Sequence, residues 1–382
     1  MTGTSDSDRR WMAEALQLAE AVRGTTHPNP HVGAVIVEKD RLVAWGATEP
    51  AGGRHAEIVA LDHLDRHPGS DAVLYVTLEP CSTHGRTPPC TEAILAAGIR
   101  RVVVGATDPN PAHAGSGLTR LRDAGITVDT GILAEACADT NLLFNHWIRT
   151  RRPLLALKVA TTLDGYLATA NGDSRWVTGP EAREHAMGWR RYFPALVSGA
   201  GTVLADNPRF TARPVGQPES CPLRLILDSK LRTAAQADAL HVYTDAFATS
   251  TRVFHTAQAP AAARQSLEGQ GIALTELPTG DDGRVDLGAF RDWLAGQPEL
   301  VGAYIEAGAD LSRACWAAGL VDYLMLYQAP KLLLDRSGLT PFGGRAALRM
   351  SDAVAMTERR TEAIGPDCLI RGFIQSPEET AS

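Results

Sequence analysis

His55, Glu57, Cys81 and Cys90 stand out because few residue types can do what this set can do. Cys thiolates and neutral His are the usual protein ligands of zinc, which prefers four tetrahedral positions. Three protein ligands leave the fourth for water, as in a catalytic site rather than a closed structural one. Zinc held this way can bring the pKa of water down to about 7 and so supply hydroxide at neutral pH. A proton carrier is then required, and Glu57, two residues after His55, is the candidate. Both cysteines follow a proline, as Pro80-Cys81 and Pro89-Cys90, whereas the other four cysteines are scattered singly.

The order His-x-Glu … Pro-Cys … Pro-Cys is that of zinc nucleobase deaminases, whose usual Cys-x-x-Cys is here opened to eight intervening residues, STHGRTPP. A loop inserted between two metal ligands faces substrate, and its Arg86 suits a phosphate. His84 in the same loop reads equally as filler or as a substrate contact. His63 and His67 could mimic a metal pair at helical spacing, but with no cysteine near them they read as a solvated face. Asn29, between two prolines in THPNPHVG, is either a simple turn residue or an amide that reads a base edge.

The elements that must position these groups alternate. VGAVIV (32–37) reads as a buried strand, HAEIVALDHLDRH as a helix, AVLYVTL (72–78) as a strand, CTEAILAAG as a helix closed by Gly98, RRVVVGA as a strand and GLTRLRDAG as a helix. The alternation predicts a largely parallel sheet covered on both faces. At WIRTRRP (147–153) the rhythm breaks and a new series starts with LLALKVA, so a boundary is expected near 150, with domains at 1–147 and 153–378. In the second series GPEAREHAMGWRR and LSRACWAAG read as helices and ALVSGAG, LRLILD, VGAYIE and DYLMLYQ as strands; the short pieces HVYT and RVFH lie between them.

With 382 residues, 44% apolar and 21% charged, the chain reads as a soluble globular protein of two domains. A net charge of −7 disfavours a nucleic-acid partner. No apolar run approaches a membrane span, no signal peptide is evident, and six sparse cysteines make no disulfide framework. The cytoplasm is therefore the expected compartment and a small molecule the expected partner; a homo-oligomer stays open.

HPNPHVGAVIV, HAEIVAL, LEPCSTHGRTPPC and DPNP together resemble the deaminase half of the bifunctional riboflavin-biosynthesis deaminase/reductases, whose long inter-cysteine loop explains the spacing. KVATTLDGYLATANGDSRWVTG, GAGTVLADNPRFTAR, LRLILDS and YIEAGADLSRACWAAGLVDYLMLYQAPKLL are similar to the reductase half. The resemblance implies a cytidine-deaminase-like three-layer α/β/α domain followed by a dihydrofolate-reductase-like α/β domain. It implies loss of the C2 amine from a diaminopyrimidinone ribosylamino 5′-phosphate, then reduction of the ribosyl group to ribityl with NADPH. By itself Gly199-x-Gly201 fails as a dinucleotide fingerprint, because Leu204 stands at the third glycine. By resemblance the substrate contacts of the second half fall on Ser174, Arg190, Phe210, Arg213 and Glu306, with Lys158 beside the ribose. The cofactor contacts fall on Ala160, Trp176, Thr202, Asp206, Ser229 and the stretch opening at Gly308. Taken alone, Ser174 reads as a helix cap and Trp176 as core. The match departs at Thr83 and His84 in the loop, and at Pro194, Asn207, Ala309 and Asp310 in the second half; Asp310 would oppose a pyrophosphate if it faced one. A deaminase with a degenerate reductase domain, and a non-catalytic binding paralogue, are the rival readings.

Overall fold

The computed structural model describes residues 6–83, 88–344 and 346–375. The chain divides into two compact units, Met1–Arg152 and Pro153–Ser382.

The first unit contains, in chain order, α1 (Asp6–Ala21), β1 (Gly33–Glu38), β2 (Arg41–Ala47), α2 (Ala56–Leu64), β3 (Val73–Leu78), α3 (Cys90–Ala97), β4 (Arg101–Ala106), α4 (Ser116–Asp123), β5 (Thr127–Thr130), α5 (Ala134–Thr140) and α6 (Leu142–Thr150). Its sheet runs β2-β1-β3-β4-β5. β3, β4 and β5 are parallel, but β1 pairs antiparallel with both β2 and β3, so the sheet is mixed rather than largely parallel. The reason is a two-residue hairpin at Lys39-Asp40, both in the left-handed region (φ 49° and 56°). Neither residue is glycine or asparagine, so the turn has no sequence signature.

The pairing brings the functional segments together. Gly33, which opens β1, lies opposite Ala47 at the end of β2, and its N–H bonds Thr77 Oγ1 near the end of β3. The segments holding Asn29, His55 and Cys81 therefore all meet at one end of the sheet. α2 packs tightly there: a Cβ at Gly46 would collide with the Ala56 carbonyl oxygen.

The second unit contains β6 (Leu154–Thr162), α7 (Pro180–Tyr192), β7 (Ala195–Gly199), α8 (Ala200–Asp206), β8 (Leu223–Leu227), α9 (His241–Thr244), β9 (Thr251–His255), α10 (Ala261–Gly269), β10 (Ala273–Glu276), α11 (Leu287–Ala295), β11 (Gly302–Glu306), α12 (Ala309–Ala317), β12 (Tyr323–Ala329), β13 (Ala355–Ile364) and β14 (Asp367–Gln375). HVYT is thus one helical turn and RVFH a strand. The sheet order is β10-β9-β8-β7-β11-β6-β12-β14-β13, parallel from β10 to β12 and closed by the antiparallel β14 and β13. A parallel α/β sheet ending in an antiparallel hairpin is the dihydrofolate-reductase-like arrangement. Ligands of such sheets bind beyond the carboxyl ends of the strands.

Candidate active sites

His55 is the N-cap of α2, and Cys90 is the first residue of α3 after its N-cap Pro89. Cys81 follows β3 through Glu79-Pro80. Two helix N-termini thus face the sulfurs, where partial positive charge favours thiolate. His55 Nδ1 lies 3.2 Å from Cys90 Sγ and 3.6 Å from Cys81 Sγ, and all three ligand atoms fall within 4.8 Å of one another. Zn–N and Zn–S bonds in a tetrahedron set the N···S edge at about 3.6 Å, so the triangle fits that ion. The Cys90 N–H donates to Cys81 Sγ (3.2 Å). Cys81 is pulled down to about 4, first by the Cys90 thiol and then by His55. Cys90 moves up in turn, because one proton between two sulfurs is the favoured state. A dication can replace that proton.

Glu57 sits in the first turn of α2 with 4% of its surface exposed. Burial, then the Cys81 thiolate, push it up to about 7, where a carboxyl group can both accept and donate a proton.

Glu79 was not legible as a functional residue. It is buried, and its two oxygens accept the N–H groups of Asp108, Gly115, Gly117 and Leu118 at 2.9–3.4 Å. It clamps the 108–118 segment onto the strand end leading to Cys81. Gly117 is required there, since a Cβ would strike the Pro80 carbonyl oxygen. Backbone donors have no side-chain signature, which is why the clamp is invisible in the sequence.

Asn29 occupies a turn, its N–H on Thr26 O (2.9 Å) and its carbonyl accepting from Thr26 Oγ1 (3.0 Å); its side chain is half-buried. The turn is anchored by His31, whose N–H donates to Asn141 Oδ1 (2.6 Å) and whose Nε2 accepts from Gly24 N–H (2.8 Å). His63 bonds Trp45 O (2.8 Å), and His67 lies beyond the end of α2, so the two do not pair on one helix. Arg86 and His84 lie outside the described residues.

The second unit holds a cavity of about 950 Å³ at the carboxyl ends of its parallel strands. It is lined by Lys158, Ala160, Ser174, Trp176, Thr202, Asp206, Phe210, Ser229, Glu306 and Gly308, ten of the twelve positions expected for this half. Lys158 and Glu306 are register partners on β6 and β11. Arg190 is not on the wall but behind it: its Nε and Nη2 each donate to Glu306 at 2.8 Å, and its Nη1 to Thr211 O at 2.7 Å. Burial alone would raise the Glu306 pKa, yet the Arg190 charge holds it below the ordinary value. Burial lowers that of Lys158, against the pull of Glu306. Arg213 turns away, to Thr211 Oγ1 and to Glu219 at 3.6 Å.

Trp176 is not core: it is 62% exposed at the cavity, with Arg183 over its ring at 4.5 Å. Ser174 caps no helix, since Gly179 is the N-cap of α7. Asn207 ends α8 in the left-handed region (φ 42°), bonding Ala239 O (3.0 Å) and His241 N–H (2.8 Å), so it acts as a clasp. Asp310 lines the cavity but pairs with Arg313 (3.2 Å), which offsets its charge. The Gly308 N–H, at the N-terminus of α12, is held by Thr202 Oγ1 (3.2 Å), and a Cβ at Gly201 would meet nothing within 4 Å. Volume, an open backbone approach and a helix N-terminus suit a phosphorylated dinucleotide without Rossmann glycines.

Comparison with known proteins agrees across both units. Residues 5–106 match the cytidine and deoxycytidylate deaminase zinc-binding region, and residues 153–370 the RibD C-terminal domain. The riboflavin biosynthesis protein RibD of Actinobacillus pleuropneumoniae is 36% identical over 97% of this chain and 96% of its own. A solved RibD of Acinetobacter baumannii (34% identity, TM-score 0.76) covers 97% of this chain and 99% of its own. A Thermotoga maritima structure described as a diaminohydroxyphosphoribosylaminopyrimidine deaminase/5-amino-6-(5-phosphoribosylamino)uracil reductase has 28% identity and TM-score 0.74 over the same shares. With likeness of this extent on top of a His-Cys-Cys triangle in one unit and a dinucleotide-sized cavity in the other, the chain belongs to the RibD family of bifunctional riboflavin-biosynthesis deaminase/reductases.

Proposed function

We propose that the first unit removes the C2 amine of 2,5-diamino-6-ribosylamino-4(3H)-pyrimidinone 5′-phosphate and that the second reduces 5-amino-6-(5-phosphoribosylamino)uracil to its ribitylamino product. The observation that carries this is the closed triangle of His55, Cys81 and Cys90 beside a buried Glu57.

Those three residues would hold zinc, one ion per chain, which when bound would acidify water and so supply hydroxide at neutral pH. Glu57 takes a proton from the attacking water, gives it to a ring nitrogen and then serves the departing ammonia, a task suited to a carboxyl poised near neutrality. Asn29 offers an amide to the pyrimidine edge and Arg86 a guanidinium to the 5′-phosphate.

In the second unit the cavity residues Ala160, Trp176, Thr202, Asp206, Ser229 and Gly308 would hold NADPH, which supplies hydride. Ser174, Phe210 and Glu306 bound the substrate side, with Arg190 fixing Glu306; Arg213, as placed, would have to leave Glu219 to reach a ligand. Lys158 delivers a proton or offsets charge at the ribose as its C1′ is reduced. All six cysteines are unpaired, as the reducing cytoplasm would keep them. No described helix is long and apolar enough to cross a membrane.

The test is an anaerobic assay with the diaminopyrimidine nucleotide, with and without NADPH, followed by mass analysis. Deaminated product without NADPH and ribityl product with it are expected. Deaminated product in both arms would mean a degenerate second unit, and unchanged substrate would remove the reading altogether.

A further inference from the structure

The Asn141 side chain serves a distant segment rather than its own helix. Asn141 ends α5 and is the N-cap of α6. Asparagine is favoured at that position because its side-chain oxygen can accept a free N–H of the first helical turn. Here it makes no such bond. Its amide instead reaches 110 residues back, Oδ1 accepting from His31 N–H (2.6 Å) and Nδ2 donating to His31 O (3.0 Å). Both residues are only 1% exposed. The strand register explains why His31 needs this partner. Val32 pairs with Thr48, just beyond β2, through its N–H to Thr48 Oγ1 (3.2 Å) and its carbonyl from Thr48 N–H (2.9 Å). On the other side Ala34 stands opposite Val76, so His31 would face Glu79. Glu79 is turned instead to the Ala106 carbonyl and the 108–118 segment. A buried N–H and C=O left without partners would each be costly, and one amide satisfies both. The Asn141 backbone is fixed in turn, its N–H on Ala138 O (3.0 Å) and its carbonyl accepting from Asn145 N–H (2.8 Å).

What this anchor holds is the 24–31 loop. His31 Nε2 closes it by accepting from Gly24 N–H (2.8 Å). Inside the loop, the fully buried Thr26 grips Asn29 by both backbone groups: its carbonyl accepts Asn29 N–H (2.9 Å) and its Oγ1 donates to Asn29 O (3.0 Å). Pro28 and Pro30 stiffen the chain on either side, and the residue before a proline is itself biased to extended conformations. The Asn29 side-chain amide makes no hydrogen bond among the described residues. Every constraint in the loop therefore acts on the Asn29 backbone and leaves the amide free for a ligand.

We propose that Asn141 and Thr26 are positioning residues for deamination: acting through the 24–31 loop, they hold the Asn29 amide where it meets the pyrimidine edge and so set the affinity for substrate. The inference rests on the reading of Asn29 as that contact. It gives the buried Asn141–His31 pair a task beyond satisfying its own backbone groups.

The experiment is steady-state deamination of the diaminopyrimidine nucleotide by the full chain, with zinc content measured alongside. It compares wild type, N29A, N141A, T26V and the double variants N29A/N141A and N29A/T26V. Misplacing a contact by about an ångström can cost up to about a hundredfold, so N29A and N141A should each raise KM about tenfold. T26V keeps the side-chain shape and loses one bond, so its KM should rise severalfold. In all of them kcat should stay within about twofold of wild type, as for a contact equally strong in ground and transition states, and zinc should be retained. Residues that act through one another are not additive, so each double variant should match N29A alone. Double variants whose KM effects multiply, or an N141A or T26V with the wild-type KM, would overturn the assignment while leaving the Asn29 contact intact. An N29A with the wild-type KM would overturn the Asn29 reading itself, and the assignment with it. If N141A loses zinc its fold is damaged, and T26V with its double variant decides by the same outcomes.

Discussion

The two units solve the problem of holding a reactive site in opposite ways. In the first, three ligands and a proton carrier come from two helix N-termini and one strand end, all buried or half-buried, within 36 residues of sequence. In the second, the cavity wall is drawn from many strand ends spread over more than 150 residues, and much of it is backbone, loop and paired charge. The first site depends on residue identity: few side chains besides Cys, His and a carboxylate can do that chemistry. The second depends more on arrangement, with its polar groups spread over many strand ends and several of them held in ion pairs. The first should therefore fail all at once when one residue changes, and the second by degrees.

The largest effect should come from the first unit. Cys81→Ser removes a thiolate ligand, so zinc content should fall from about one per chain to near zero and deamination with it. Undiminished zinc in that variant would break the assignment of the triangle. Glu57→Gln keeps size and polarity but cannot carry the proton. It should lower the deamination rate by about 10²–10⁴ with zinc retained. The same variant, given deaminated nucleotide and NADPH, should reduce it at the wild-type rate, since sites without shared contacts behave independently. Loss of reduction in Glu57→Gln would mean that the two units work through one switch, and the contrast drawn above would collapse.

Glu306→Gln probes the second unit. It leaves Arg190, 12% exposed, without its carboxylate partner. Removing one member of a buried pair costs about 3–5 kcal/mol when the other stays charged and enclosed. Thermal unfolding of the second unit should shift down, and binding of the phosphoribosyl substrate should weaken while deamination continues. A variant of unchanged stability would show that Arg190 relaxes to solvent, so that the cavity is softer than its hydrogen bonds suggest.

How far each site was legible follows from the same contrast. His55, Glu57, Cys81 and Cys90 were readable from type and order alone, because their chemistry has few alternatives. Most cavity residues were readable only through the resemblance: Thr202 and Asp206, at a strand's carboxyl end, fitted a phosphorylated ligand no better than a plain polar loop, Trp176 looked like core and Ser174 like a cap, and all four are in the cavity wall. β2 was missed because Lys39-Asp40 adopts a left-handed hairpin turn with no glycine to announce it. The β13–β14 hairpin was missed because β13 is mostly polar and exposed, with no buried face to impose a period of two. Asn207 read as a departure in the cofactor site, yet the fold uses it as a clasp. Glu79 escaped notice because its partners are backbone donors.

A smaller effect should come from Glu79→Gln. The amide keeps one accepting oxygen but replaces the other with a donor that faces N–H groups. An unsatisfied buried donor costs about 1–3 kcal/mol, here in the segment bracing Cys81. Zinc release to a chelator should quicken several-fold while reduction is untouched. A release rate equal to wild type would show that the Cys81 strand end holds its position without the clamp.

The effect that no single substitution produces, and the one that sharpens the comparison most, is in acid. His31 and His146 both lie in the first unit. Burial, then the charges of His27 and Arg23, hold His31 well below 6.5, and its Nε2 must stay unprotonated to accept the Gly24 N–H. Burial, then Arg149, lower His146 to about 4. A histidine with a depressed folded pKa binds its proton more readily when unfolded. Its neutral folded form is therefore fully tolerated above 6.5, and stability is lost as pH falls below that value, by up to about 1.4 kcal/mol per pH unit for each group. In the second unit Glu306 is among the depressed carboxylates, and its contribution is present above 4.5 and is lost only as pH falls through its lower folded pKa. Between pH 6.5 and 4.5 the two histidines should thus weaken the first unit, in part offset by Glu57, whose raised folded pKa makes protonation favourable over the same range, while the Glu306 contribution to the second holds. Denaturant unfolding of each unit across that range reads the difference. Acid also releases zinc from the first unit, so wild type should be compared with H146Q, which shares the metal site. A shallower pH slope in H146Q identifies the buried histidine as one source of the acid sensitivity. Identical slopes would assign the loss to His31 or to the metal ligands instead.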